Sequence, residues 1–126
     1  MFGLIDEFIL IILETLTLKV DAIADGYAMC SLDIQPNHMN AVGALMGGVP
    51  FTLADFCFAV ATNRPGKHTV SVHSNIAYLE TPKGKRLIAK SRKIKDGKRT
   101  CYYEIGIEDD LGRAIAMVQI TGMHMN

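Results

Sequence analysis

From Val49 to Ala61 the chain reads Val-Pro-Phe-Thr-Leu-Ala-Asp-Phe-Cys-Phe-Ala-Val-Ala, long enough for a helix and apolar on every side. A helix without a polar face cannot lie on a surface, so it has to be surrounded, and in a small chain a sheet is the element that can do this. Pro50 stands in the first turn, where proline is tolerated, just behind Gly47-Gly48. Arg64-Pro-Gly66 stops the helix after about Asn63.

The strands for such a sheet are legible on both sides of the helix. Thr15 to Ala24 and Tyr27 to Ile34 carry β-branched and alternating apolar residues, with the two-residue turn signal Asp25-Gly26 between them. Downstream, four further stretches read as strands: His68 to Leu79, Arg86 to Lys95, Lys98 to Glu108 and Arg113 to Gly122. Pro82-Lys-Gly84, Asp96-Gly97 and Asp109-Asp-Leu-Gly112 separate them, and Asp96-Gly97 is the strongest short hairpin signal in the chain. The 126 residues leave room for one core, so a single α+β domain spanning 1–126 is expected.

Asp55 is the only charged residue between Met39 and Asn63. An ionised carboxylate in apolar surroundings costs several kcal/mol unless it is paired, hydrogen-bonded or opened to a cavity. A lone acid can also snorkel out at a helix edge, which is the plainer role. The alternative is chemistry, in which a carboxylate beside a dry cleft is a stronger base than one in water. A helix that starts behind two glycines offers unpaired N–H groups and no side chains to keep a substrate from the backbone.

Thirteen basic and thirteen acidic residues cancel, so overall charge argues for neither a nucleic-acid binder nor a membrane-surface protein. Nine of the basic residues crowd between Lys83 and Arg99, with Asp96 as the only acid among them, which reads as a solvated sheet edge that also permits a phosphate-rich ligand. Cys30, Cys57 and Cys101 are odd in number and widely spaced, which fits reduced packing residues of a cytoplasmic protein. Phe8 to Leu13 is apolar but too short to span a bilayer, and acids rather than lysines precede it, so a short helix over 1–14 is expected. No pair of histidines has metal-ligand spacing with further ligands, and neither a metal nor a cofactor is expected.

The run from Asn40 through Gly47-Gly48 to Asp55, followed by Val70-Ser-Val-His-Ser-Asn-Ile-Ala-Tyr-Leu79 and Pro82-Lys-Gly84, resembles the hotdog-fold acyl-CoA thioesterases of the phenylacetate-degradation type. In that family an Asn, a Gly and then His-Gly-Gly lead into a helix whose Asp lies nine positions after the His. The resemblance implies a hotdog fold, an antiparallel sheet of five or six strands wrapped around one long central helix. It implies Asp55 as catalytic carboxylate, the Gly47 amide as donor to the thioester oxygen, and Asn40 as the group that positions acid or water. Met46, Gly48 and Ser71 would line the substrate site, and Arg86 and Lys90 on the basic strands are candidates for the coenzyme A phosphates. Homodimers, and dimers of dimers, are implied as well, with the site between protomers.

Met46 stands where the family has histidine. A thioether donates nothing, so the substitution points to a slower thioesterase or to a hotdog protein that binds acyl thioesters without turnover. Asp33-Ile-Gln-Pro-Asn-His38 also has the Asp-x4-His spacing of hotdog enoyl-CoA hydratases, where the pair would share a water, but the residues after His38 match the thioesterase loop. The plainer role of Asn40 is a turn residue, and that of Gly47-Gly48 a tight entry to a helix.

Overall fold

The computed structural model describes residues 16–125, and the helix expected over 1–14 lies outside them. The order of elements is β1 (Lys19–Ala24), β2 (Tyr27–Asp33), a 3-10 turn at Pro36–His38, α1 (Gly48–Thr62), β3 (Thr69–Tyr78), β4 (Arg86–Asp96), β5 (Thr100–Asp109) and β6 (Ala114–His124). The strands form one antiparallel sheet in the order β1-β2-β4-β5-β6-β3, so β1 and β3 are its edges. The expected hotdog architecture is present, the described residues forming six strands and one long helix packed against the sheet.

Alternation decides which residues meet that helix. Cys30, Ala89, Ile107 and Ala116 follow one another across β2, β4, β5 and β6 and are all buried. Leu53, Ala54, Cys57, Phe58 and Ala61 of α1 close the core from the other side. Phe58 meets Tyr103 edge to face, with ring centroids 5.5 Å apart. The three cysteines are buried and unbridged.

Two local expectations shift. The first strand starts at Lys19 rather than Thr15, because Thr17 takes φ 53°, which breaks an extended run. The Asp96-Gly97 signal does not form the tip of the hairpin. A bulge between Lys93 and Lys95 moves the register, so Asp96 still pairs with Cys101, Gly97 donates to the Thr100 carbonyl at 2.8 Å, and Lys98 and Arg99 occupy the tip.

The helix also departs from expectation, since the described chain surrounds it on one side only. Val49, Leu53, Cys57 and Ala61 are buried, whereas Gly48, Asp55, Ala59 and Asn63 are exposed and Thr52, Phe56 and Val60 half-buried. These seven residues repeat at helical spacing as a continuous stripe, and the apolar ones among them are only partly covered by the described residues, Phe56 and Val60 touching the core from its margin.

The β5–β6 turn is held by a carboxylate. Asp109 is buried, 1% exposed, and accepts four backbone N–H groups: Lys83 at 2.9 Å and Gly84 at 3.0 Å on one oxygen, Leu111 at 3.0 Å and Arg113 at 2.9 Å on the other. Desolvation alone would raise its pKa, but the four donors outweigh it and hold the group at about 2. Asp110 accepts from Lys85 and Arg86 beside it, and a Cβ at Gly84 would fall 1.8 Å from its Oδ1, so only glycine fits there. A lowered carboxyl stabilises the fold above its unfolded value near 3.9, and that contribution disappears as pH falls towards about 2. Asp109→Ala is therefore expected to lower Tm at neutral pH by roughly 10 °C, and most of the acid sensitivity of unfolding between pH 4 and 2 should go with it. Thermal melts across that range check both.

Candidate active site at the helix N-terminus

The loop that leads into α1 is folded on its own backbone. Asn40 Oδ1 accepts from Val42 and Ala44, both at 3.0 Å, while the Asn40 N–H donates to the Ala44 carbonyl at 2.7 Å. The carboxamide oxygen of Asn40 thus shapes the turn. Met46 N–H donates to the His38 carbonyl at 2.9 Å, which ties this loop to the 3-10 turn, and the Met46 side chain is exposed.

Gly47 caps α1 and Gly48 is its first residue, so the helix begins within the glycine pair rather than after it. Among the described residues neither Gly47 nor Gly48 N–H meets an acceptor. The space beside Gly48 is open: a Cβ there would meet nothing within 4 Å. Two amide donors at the positive end of a helix dipole therefore face an accessible surface, which suits a developing oxyanion. Next to them lies a cleft of about 350 Å³, lined by Leu45, Gly47, Pro50, Tyr78, Leu79 and Ile115 among others.

Asp55 sits on the open stripe of α1. Its side chain is solvent-accessible in the isolated protomer, yet desolvation by the atoms crowded around it pushes its carboxyl above the ordinary carboxylate value. It lies eight residues beyond Gly47, about 12 Å along the helix axis at 1.5 Å per residue. One thioester carbon cannot touch both within a protomer.

Ser71 lies on edge strand β3 opposite Gly122, whose missing Cβ points at Phe58, so Ser71 is on the helix side of the sheet and exposed. Arg86 and Lys90 stand elsewhere. Arg86 bonds Asp21 at 2.9 Å and Ser31 at 2.7 Å, and Lys90 bonds Glu108 at 2.8 Å, on the sheet face turned away from α1. Of the aromatic residues around the helix, Tyr78 borders the cleft, Phe58 is in the core, and Phe51 and Phe56 are half-buried.

The Asp33 and His38 side chains are engaged separately. Asp33 pairs with Lys19 at 3.1 Å, whereas His38 is buried and its Nδ1 accepts the Gln35 N–H at 3.0 Å. At the opposite end of the sheet the fold gathers Asp96, Cys101 and His124, which are scattered in sequence. His124 is held between Asp96 at 2.7 Å and Thr69 at 2.8 Å, and Lys67 reaches the other oxygen of Asp96 at 3.3 Å, so the ring and the carboxylate already have partners.

The family model of the thioesterase superfamily matches residues 42–116, a span that holds both glycine amides, Asp55 and the cleft. The chain belongs to the thioesterase superfamily. A putative esterase of Archaeoglobus fulgidus is 28% identical to this superfamily member over 114 residues, 90% of this chain and 74% of the relative. Human acyl-coenzyme A thioesterase 13 is 30% identical over 97 residues, 74% of this chain and 69% of that protein. In structure, the Escherichia coli PaaI protein from the phenylacetic acid degradation operon superposes with a TM-score of 0.85 at 23% identity, over 90% of this chain and 83% of its own. The likeness to phenylacetate-type hotdog proteins drawn from Asn40 to Gly84 thus holds in the backbone as well.

Proposed function

We propose that this thioesterase-superfamily chain is an acyl-CoA thioesterase that acts as a homodimer, with each site built across the two protomers. The observation that carries the reading is geometric: two unpartnered amides and one crowded carboxylate share the open side of α1, yet stand too far apart to meet on one substrate in a single chain. A two-fold partner related by antiparallel pairing of β3 would bring Asp55 of one protomer opposite Gly47 and Gly48 of the other. Support comes from the edge of β3, which no described strand pairs and on which Val70 and Val72 are exposed, and from the stripe of the helix that the described residues leave partly open. Covering that stripe would also desolvate Asp55 further.

In the direct-water route Asp55 takes a proton as the water oxygen bonds to the thioester carbon, and the amides meet the charge on the carbonyl oxygen. The carbon–sulfur bond then breaks, and the thiolate of coenzyme A recovers the proton from Asp55. In the covalent route the Asp55 carboxylate attacks the carbon, the carbon–sulfur bond breaks and coenzyme A leaves as its thiolate. Water then cleaves the acyl–aspartyl anhydride, freeing the acid and Asp55, while a proton of that water goes to the thiolate. Asn40 and Ser71 are assigned to orient water or substrate. Arg86 and Lys90 would reach the coenzyme A phosphates only from another copy of the chain, because they lie across the sheet from the helix. Three buried, unbridged thiols suit a cytoplasmic setting.

The test is a panel of aromatic, medium-chain and long-chain acyl-CoAs with detection of the released thiol. Turnover by the wild type supports the reading. Its absence, together with binding, would favour a non-catalytic acyl-thioester binder, to which Met46 gives some support. Met46 also supplies a graded check. Its exposed side chain stands at the entry to α1, so Met46→His restores a polar group there and is expected to raise kcat about tenfold or more. An unchanged kcat in steady-state assays would remove position 46 from the reaction.

A further inference from the structure

Tyr78, the last residue of β3, donates its hydroxyl to the Gly47 carbonyl at 2.7 Å. Its ring fills the place a side chain at position 47 would need: a Cβ on Gly47 would fall 2.7 Å from Oη and 3.0 Å from Cζ. The helix holds the same carbonyl weakly, since the Phe51 N–H reaches it only at 3.4 Å. The tyrosine bond is therefore the shorter of the two.

The Gly47 carbonyl and the Gly48 N–H belong to one peptide unit, and in a trans peptide they point in opposite directions. Turning the carbonyl towards Tyr78 turns the Gly48 N–H away from the ring, and the space around Gly48 is open, since a Cβ there would meet nothing within 4 Å. A hydrogen bond accepted at the carbonyl also polarises the peptide and strengthens its N–H as a donor.

We infer that Tyr78 is a positioning residue that pins the Gly47–Gly48 peptide, and so makes the Gly48 amide a second oxyanion donor beside that of Gly47. The inference rests on the thioesterase reading above. Its role is confined to the charged transition state, because a ground-state thioester oxygen carries little charge for the second donor to meet.

Tyr78→Phe removes the hydroxyl and keeps the ring, which is 57% exposed and not part of the core. Expected are a fall in kcat of about ten- to a hundredfold, a KM within about twofold of wild type, unchanged affinity for a non-hydrolysable acyl-CoA thioether, and an unaltered Tm. Gly47→Ala, whose new methyl drives the ring off, should lose kcat similarly, and the double variant should lose no more than the worse single one. If Tyr78→Phe keeps wild-type kcat while Asp55→Asn is inactive, the positioning role is overturned and the thioesterase reading stands. Additive losses in the double variant, or a KM and Tm that move together with kcat, also overturn it. Wild-type protein that turns over no acyl-CoA sinks both.

Discussion

Asp55→Asn is expected to lower kcat on acyl-CoA about a thousandfold and, at the same time, to raise Tm by a few degrees. The first effect follows from chemistry: asparagine keeps the shape of the side chain but can neither accept a proton from water nor attack a thioester, and loss of a positioned base costs about 10²- to 10⁴-fold. The second follows from the direction of the pKa shift, which burial drives upward. A carboxyl raised in the folded state favours folding only while protonated, below its unfolded value near 3.9, and that contribution is lost as pH rises through the folded value. Once ionised, Asp55 opposes folding, whereas asparagine has no charge to desolvate. Melts at pH 7.5 should show the variant more stable, and the gap should close towards pH 4. In the wild type, kcat/KM should fall as pH drops through a value above the ordinary 3.8 of an aspartate. A variant that retains wild-type turnover would end the case for Asp55 in either role.

Much of this architecture is written in local pattern. Alternation and turn residues place the strands, most clearly β2, β4, β5 and β6, which have one face on the helix and therefore alternate in burial. The first strand starts late and the β4–β5 tip is displaced, since Thr17 and the bulge near Ile94 reflect long-range fit that no local signal carries. Asp55 was visible as a lone charge in an apolar run, but the run itself misleads. Phe56, Ala59 and Val60 are as apolar as Leu53 and Phe58, yet lie on the side of the helix that the described residues leave partly open, and hydrophobicity cannot tell a fully buried residue from one at the margin of the core. Two residues with clear structural work stayed hidden for a related reason. Asp109 reads as a turn acid and Tyr78 as one more residue of an alternating strand, and only the folded chain brings four amides onto the first and the Gly47 carbonyl beneath the second.

Mixing two inactive variants should restore activity, and the amount can be stated in advance. Suppose that Asp55 of one protomer serves the Gly47–Gly48 loop of its partner. Dimers of Asp55→Asn alone then lack a base at both sites, and dimers of Gly47→Val alone have both loops blocked, since a Cβ at 47 collides with Tyr78. In a mixed dimer, one site combines the two defects while the other combines an intact Asp55 with an intact loop. Random reassociation of equal amounts yields about half mixed dimers with one working site in two, hence about a quarter of wild-type turnover per protomer. Each variant alone stays roughly a hundredfold or more below wild type. Co-refolding the two from denaturant, followed by the thiol-release assay, reads the outcome directly. If each protomer used its own Asp55 with its own loop, the mixture would be as inactive as its components, and the 12 Å that separates them along α1 would have to be closed by a movement of the helix itself.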